Sequence, residues 1–120
     1  MEFPYIKVID FPKHQKRERI LPWIRFGIFN PKEESNILYP VGLIDSGSDI
    51  TIIDYELGEK LGFEKKPIIY QDFVAFTYEK FPSTMPQQTA ILGTIGFFRH
   101  VDVTLKYPKN IFVEPKTQGL

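Results

Sequence analysis

Hydrophobic and polar residues alternate over several short stretches of this chain, a pattern typical of β-strands. The alternation is clearest over 101–105, and the turn residues at 108–110 predict a hairpin that returns as a strand over 111–113. Further strands are predicted over 5–11, 20–29, 37–44 and 68–78, with a short β-branched run at 50–53. The polar, turn-rich segment 30–36 predicts that the strands on either side of it form a second hairpin.

Helical signals are few. Asp54 can cap a short helix that runs through Leu61, and Gly62 is placed to end it. One helical turn is predicted within 93–99. Many short strands with one or two short helices predict a mostly β domain, a small barrel or sandwich.

Length and composition narrow the class of protein. The 120 residues are typical of a single domain over 1–120, in which 1–19 form an N-terminal strand and a polar connection. Lys and Arg number 15, and Asp and Glu also number 15, so the net charge predicts neither nucleic acid nor an anionic membrane as a partner. The chain has no Cys and 2 His, from which we expect no disulfide, no metal site and no cofactor. No apolar run reaches the roughly 18 residues of a membrane span and no signal peptide is evident, so we expect a cytoplasmic protein.

A carboxylate stands at the end of an apolar strand, where a turn can present it instead of burying it. The segment Leu43-Ile44-Asp45-Ser46-Gly47-Ser48 carries this arrangement. Gly47 lets the backbone turn sharply and approach a neighbour closely, and the Ser hydroxyls can bond to the carboxylate or to backbone amides. An Asp-Ser-Gly sequence also suits an ordinary Asx turn between two strands, so these residues alone leave a purely structural interpretation open.

Two segments together resemble the signatures of retropepsin-like aspartic proteases. Asp45-Ser46-Gly47-Ser48, followed by 50–53 and a short helix, is similar to the catalytic turn Asp-Ser/Thr-Gly-Ala/Ser of that family. Ile91-Leu92-Gly93 resembles the second signature, two apolar residues and Gly, which passes beside the catalytic turn. The segment 93–98 and the strand after it look like those of prokaryotic members, and the resemblance extends over 20–113.

The resemblance implies a small closed β-barrel or sandwich and a homodimeric endopeptidase that hydrolyses peptide bonds. Aspartic proteases use two carboxylates about 3 Å apart that share one proton. This chain has one Asp-Ser/Thr-Gly sequence, so a second copy supplies the second catalytic Asp45. Because two close carboxylates cannot both ionise readily, we expect the highest activity below neutral pH. The resemblance also implies cross-dimer and turn support from Ser46, Gly47 and Ser48, and substrate or interface contacts from Asp49, Thr51, Ile91, Leu92 and Gly93.

Two features depart from the family pattern. Most retropepsins carry a Gly-rich hairpin flap between the two signatures, but no Gly occurs over 63–92, so the flap is predicted to be shortened or absent. Many members also carry Arg after the Leu-Gly, where its charge pairs with the position occupied here by Asp49. Thr94 stands there instead, and Arg25 or Arg99 could supply the pair.

Two other functions stay open at this point. A non-catalytic module could keep the retropepsin fold for binding or dimerisation, with Asp45 as a structural turn residue. Nucleic acid could bind the basic segment 13–19, but we expect a solvated loop there, because Glu18 interrupts the cations and the chain is neutral overall. Trp23 is predicted to lie in the core or an interface, and His100 at the surface or an interface.

Overall fold

The computed structural model describes residues 1–9, 18–63, 74–77 and 88–116. Within these ranges the chain forms one helix and twelve strands, and because strands make up 53% of these residues, the predicted mostly β class is confirmed. In chain order the elements are β1 (Glu2–Pro4), β2 (Ile6–Ile9), β3 (Glu18–Leu21), β4 (Trp23–Arg25), β5 (Ile28–Phe29), β6 (Ile37–Leu38), β7 (Val41–Ile44), β8 (Thr51–Ile53), α1 (Tyr55–Lys60), β9 (Val74–Phe76), β10 (Gln88–Leu92), β11 (Val101–Lys106) and β12 (Asn110–Pro115).

The largest sheet holds five strands in the order β4-β7-β10-β8-β9. Its centre is a parallel pair, β7 and β10, with Ile44 beside Leu92, and β8 lies antiparallel on the other side of β10. Because parallel strands end at the same edge of a sheet, the residues that follow β7 and β10 leave the sheet side by side. Asp45 and Gly93 are those residues.

A second sheet of three strands, in the order β1-β12-β11, joins the two ends of the described chain. β11 and β12 form the hairpin that the alternation over 101–113 predicts. β1 lies on the other side of β12, where the Met1 ammonium donates to the Val113 carbonyl at 2.8 Å and the Val113 amide donates to the Met1 carbonyl at 2.9 Å. The N-terminal strand is therefore tied to the C-terminal hairpin within one chain.

The two sheets share one hydrophobic core. Its buried members are Ile24, Ile44, Leu92, Ile111 and Val113. Partly buried side chains pack around them: Phe3, Tyr5, Phe26, Phe97, Phe98, Val101 and Val103. Since Ile44 is 5% exposed and Leu92 2% exposed, close packing fixes the chain immediately before Asp45 and immediately before Gly93.

Proline interrupts two of the predicted strands. The prediction of one strand over 20–29 is wrong, because this segment divides into β3, β4 and β5 with Pro22 between the first two. Pro22 has no amide hydrogen to donate, and its carbonyl accepts from the Ile44 amide at 3.0 Å while β3 pairs with β2. The segment 37–44 likewise divides at Pro40 into β6 and β7. The hairpin itself is confirmed, since β4 pairs antiparallel with β7 and β5 with β6.

The predicted start and end of the helix are confirmed. The Asp54 carboxylate accepts a hydrogen bond from the Glu56 amide at 3.2 Å, and Leu61 is the C-cap of α1. Gly62 has a φ of +82°, a left-handed conformation that favours glycine. The Asn30 side chain donates to the Leu61 carbonyl at 3.1 Å, which ties the helix end to the loop between β5 and β6.

The segment 93–99 is not the helical turn that the sequence predicts. The Phe98 amide donates to the Gly93 carbonyl at 3.1 Å and the Arg99 amide to the Thr94 carbonyl at 3.1 Å, so these bonds span five residues, against four in an α-helix. Hydrogen-bonded turns therefore replace the helix here. The strand predicted over 68–78 is present as β9 within the described residues.

The described strands form sheets of five, three, two and two strands, and no closed barrel is found among them. The described residues therefore form a mostly β fold with one short helix, and the predicted closed barrel is not found among them. No helix in these ranges has the length and apolar character needed to cross a membrane.

We predict that Asp54→Ala lowers the free energy of unfolding by about 1 kcal/mol, because the substitution removes the acceptor for an amide at the start of α1. Asn can accept the same bond, so Asp54→Asn is the matched control and should lose a few tenths of that amount. Urea unfolding followed by circular dichroism measures both. Equal losses in the two variants would contradict the capping role.

Candidate functional site

Asp45 is the first residue after β7, at the edge where β7 and β10 end together. Its amide donates to the Leu92 carbonyl at 3.0 Å, which continues the contact between the two strands past their last paired residues. The side chain is half-buried. Asp45 thus stands on the rim of the core, where a fixed backbone carries a carboxylate that solvent can reach.

The turn that follows is held by Asp45 itself. The Ser48 amide donates to the Asp45 carbonyl at 3.1 Å, and the Gly47 amide donates to Asp45 Oδ1 at 2.9 Å. The second of these bonds is an Asx turn, so the structural role that the sequence leaves open for Asp45 is present. Asp45 Oδ2 has no hydrogen-bond partner among the residues that the structure describes. One carboxylate oxygen therefore holds the turn, and the other makes no hydrogen bond within the described residues.

Gly47 leaves room beside the Asp45 carboxylate because it has no side chain. Its φ lies outside the left-handed region, which among the described glycines is adopted by Gly62 and Gly96. A Cβ at position 47 would lie 3.2 Å from Asp45 Oδ1, closer than side chains ordinarily pack. The sharp backbone turn expected of Gly47 is therefore present without a positive φ, and the missing side chain keeps the carboxylate uncrowded.

A set of backbone hydrogen bonds fastens the segment 48–51 to the segment 93–95. The Thr94 amide donates to the Ser48 carbonyl at 2.8 Å, and the Ile95 amide donates to the Asp49 carbonyl at 2.9 Å. In return, the Thr51 amide donates to the Ile95 carbonyl at 2.9 Å. A fourth bond joins the Gly93 amide to Thr51 Oγ1. We call these four bonds the latch.

Gly93 is the closest point of the latch. A Cβ there would lie 2.2 Å from the Ile50 carbonyl oxygen and 2.7 Å from the Ser48 carbonyl oxygen, distances that no side chain can occupy. The Gly93 amide donates to Thr51 Oγ1 at 3.1 Å, and Thr51 is 2% exposed. The two segments that resemble the family signatures are therefore in direct contact, and Gly at position 93 is what allows it.

The remaining predicted site residues divide by exposure. Ser46, Gly47 and Asp49 are exposed beside the carboxylate. The Ser48 hydroxyl does not bond to the carboxylate, since it donates to the Ile50 carbonyl at 2.7 Å. Half-buried or buried positions, behind the turn, are held by Thr51, Ile91, Leu92 and Gly93. Leu92 bonds to the Asp45 amide and Gly93 to Thr51, whereas Ile91 pairs with Leu43 and Ile52 within the sheet.

Asp49 makes no ion pair within the described part of the chain. Arg25, one candidate partner, donates through Nη1 to the Tyr39 carbonyl at 2.6 Å instead. Arg99, the other, is exposed and makes no ion pair with Asp49 in the described ranges. The Asp49 carboxylate therefore has no cationic partner among the described residues.

The structure also locates Trp23 and His100, for which the sequence predicts core or surface positions. Trp23 lies in the core at 5% exposure, and its Nε1 donates to Gln88 Oε1 at 2.9 Å. His100 is exposed. The predicted flap position and most of the basic segment fall in 64–73, 78–87 and 10–17, which lie outside the described residues. No three acidic or histidine side chains in the described ranges converge to hold a metal ion.

Sequence reasoning missed the supporting role of Thr51. The residue was expected to contact substrate or an interface, whereas its hydroxyl accepts the Gly93 amide inside the latch. One signal was available: Thr51 is the polar member of the apolar run 50–53, and a buried hydroxyl requires a hydrogen-bond partner.

We predict that Thr51→Val lowers the free energy of unfolding by about 1 to 3 kcal/mol, because valine has nearly the same shape but leaves the buried Gly93 amide without an acceptor. Thr51→Ser keeps the hydroxyl and is the matched control, with a smaller loss from the missing methyl group. Urea unfolding of both variants measures the difference. A valine variant as stable as the serine variant would show that the hydroxyl does not hold the latch.

Comparison of the chain with protein-family models, with curated proteins and with solved structures finds no match. The functional interpretation of Asp45 therefore depends on two observations. One is the geometry of the turn and the latch, and the other is the resemblance of the two segments that the latch joins.

Proposed function

We propose that this chain is one subunit of a homodimeric aspartic endopeptidase with a retropepsin-like fold. The observation that carries the proposal is the carboxylate of Asp45, half-buried on a turn that its own Oδ1 and the latch hold in place, with Oδ2 free of partners among the described residues. A preorganised acid with one available oxygen is what general acid and base catalysis requires.

Peptide hydrolysis needs two such carboxylates. The ionised carboxylate accepts a proton from a bound water, whose oxygen attacks the carbonyl carbon, while the protonated one donates its proton to the carbonyl oxygen. The carboxyl that took the water proton then gives it to the amide nitrogen, the C–N bond breaks, and one hydroxyl of the tetrahedral intermediate returns its proton to the other carboxylate. The pair ends the cycle with one proton shared again, so no metal or cofactor takes part.

A second copy of the chain is the proposed source of the second carboxylate. No other Asp-Ser/Thr-Gly sequence occurs, and the Asp54 carboxylate is 8% exposed and occupied as the cap of α1. A two-fold axis beside Asp45 would bring two identical carboxylates together without any further residue. Two such close carboxylates cannot both ionise readily, so activity should be highest below neutral pH.

Exposed residues of the turn are the proposed contacts across the dimer and with the substrate. Ser46 offers its hydroxyl to the partner's turn, and Gly47 offers an open backbone to an extended peptide. Asp49, without an ion pair in the described part of its own subunit, is available to the interface or to the substrate. Retropepsin-like roles for these residues follow from the resemblance.

The alternative proposal is a non-catalytic module that uses the same fold for binding or dimerisation. The Asx turn favours it, because accepting the Gly47 amide gives Asp45 a structural role that needs no chemistry. The two proposals differ in what the second carboxylate oxygen does, and that difference is open to direct test.

We predict that the purified protein cleaves casein or a peptide library at pH 4 to 7, and that Asp45→Asn reduces the rate at least about 1,000-fold, because the amide cannot serve as the base. The amide oxygen can still accept the Gly47 amide, so the turn should keep its shape. Asp54→Asn is the matched control, with the same substitution at a capping carboxylate, and should leave the rate within about twofold. Equal rates for the wild type and Asp45→Asn would favour the non-catalytic module.

We predict that mixing wild-type and Asp45→Asn subunits lowers activity as the square of the wild-type fraction. After subunit exchange at equal amounts, about one quarter of the dimers hold two Asp45 carboxylates, so the rate should be about one quarter of that of the same total amount of wild type. A rate of about one half would mean that each subunit works alone. Mixing with Asp54→Asn controls for losses caused by the mixing procedure and should change nothing.

A further inference from the structure

β11 is the longest exposed edge strand among the described residues. It lies at one side of the three-stranded sheet and pairs only with β12 in the described part of the chain. It has six residues, whereas the other edges of the two larger sheets, β1, β4 and β9, have three each. No Pro or Gly interrupts 101–106, so β11 lacks the backbone features that usually prevent an edge from pairing with another strand.

The free backbone groups of β11 can be identified from the pairing of β12. The amide and carbonyl of Val113 bond to Met1, so Val113 faces β1 and its neighbours Phe112 and Glu114 face β11. Their partners Thr104 and Asp102 must then face β12. The amides and carbonyls of Val101, Val103 and Leu105 consequently point outward from the sheet edge.

Side chains on β11 are complementary to a second copy of β11. Asp102 and Lys106 lie on the same face of the strand, one on each side of Thr104. Four residues of strand separate them by about 13 Å, too far for an ion pair within one copy. On the opposite face, Leu105 is 49% exposed at the free edge.

We propose that two copies of this chain associate by antiparallel pairing of β11 with β11, centred on Thr104. In this register Asp102 of each copy lies opposite Lys106 of the other, so two ion pairs form per dimer. Val103 of each copy lies opposite Leu105 of the other, and the outward amides and carbonyls of these residues bond to each other. The result is a continuous six-stranded sheet with a two-fold axis at Thr104.

Charge selects this register among the alternatives. The outward backbone groups belong to odd-numbered residues, so an odd-numbered residue of one copy must lie opposite an odd-numbered residue of the other. The centre of the pairing is therefore a single residue, in β11 or next to it, and not a position between two residues. A centre at Val103 would place Asp102 opposite Thr104, and a centre at Leu105 would place Lys106 opposite Thr104. Only a centre at Thr104 sets opposite charges against each other twice.

The intrachain contacts of the two charged side chains permit this pairing. Lys116 Nζ lies 2.9 Å from Asp102 Oδ1, which leaves Oδ2 for a second cation, and the Asp102 side chain is 70% exposed. Lys106 Nζ lies over the Phe112 ring at 5.2 Å from its centroid. Exposed contacts of this kind contribute little, so the side chains can turn toward a second copy at small cost.

The inference goes beyond the proposed function and does not rest on it, because a two-fold axis at Thr104 is a different contact from one beside Asp45, and one dimer holds both only where a single axis passes through both. The experiment that tests this inference measures molecular mass and not peptide cleavage. A chain that dimerises through β11 and cleaves nothing would therefore contradict the catalytic proposal and leave this one intact.

A charge-reversal experiment tests the register. Sedimentation equilibrium of the wild type should show a concentration-dependent dimer, and Asp102→Lys alone or Lys106→Asp alone should raise its Kd about tenfold or more, because each sets two like-charge pairs opposite each other. Mixing the two variants restores both ion pairs, so the mixture should form a heterodimer with a Kd within about threefold of the wild type. Circular dichroism confirms that each variant is folded.

A proline variant tests the backbone pairing. Leu105→Pro removes an amide that points outward and spares the bonds to β12, so it should weaken the dimer about tenfold or more while unfolding as the wild type does. Leu105→Val keeps the amide and is the matched control. A wild type that is monomeric up to about 1 mM, variants that dimerise as tightly as the wild type, or a mixture no tighter than its components would overturn the proposal.

Discussion

The close approach of Gly93 to the backbone of 48–51 is the constraint on which the rest of this structure depends. At this point the carbonyl oxygens of Ser48 and Ile50 occupy the space where any other residue would carry a side chain. Contact at this distance lets the amides of 93–95 reach acceptors in 48–51. The turn after β7 is thereby fixed by a segment more than 40 residues further along the chain, as the 42-residue separation of Gly93 and Thr51 shows.

Position and exposure of the carboxylate follow from that contact. Ile44 and Leu92, one residue before Asp45 and Gly93, are both buried in the core that the two sheets share. Asp45 therefore directly follows a buried residue. Its own side chain stays outside the core, because the backbone turns away from the sheet edge at this position. The same turn is held by one carboxylate oxygen, while the other makes no hydrogen bond to the part of the chain that the structure describes. Oδ1 of Asp45 thus stabilises the turn, whereas Oδ2 is the oxygen to which the proposed chemistry is assigned.

Local signals predicted the local structure well. The Asp45 turn, the Asp54 cap, the left-handed Gly62 and the β11–β12 hairpin each depend on residues close together in sequence, and each is present. Strand continuity was predicted poorly, because β-rich runs such as 20–29 do not reveal where one strand exchanges one partner for another at a proline.

Long-range pairing was beyond sequence reasoning. The bond between Met1 and Val113 spans 112 residues, and no pattern within either segment names the other. The burial of Thr51 was missed for the same reason, since its partner Gly93 is distant in the chain. The contact between the two signature-like segments was an expectation of the resemblance alone, and the latch gives it a physical basis in hydrogen bonds and a missing side chain.

A crystal structure of the assembled protein at acidic pH tests the central proposal most directly, through the separation of the two Asp45 carboxyl groups. Shared protonation requires carboxylate oxygens about 3 Å apart across a two-fold axis, with a density peak for a bound water between them. Carboxyl groups far apart in the assembly, or each one bonded only within its own turn in a monomer, would contradict the catalytic account and leave Asp45 as the structural centre of an Asx turn.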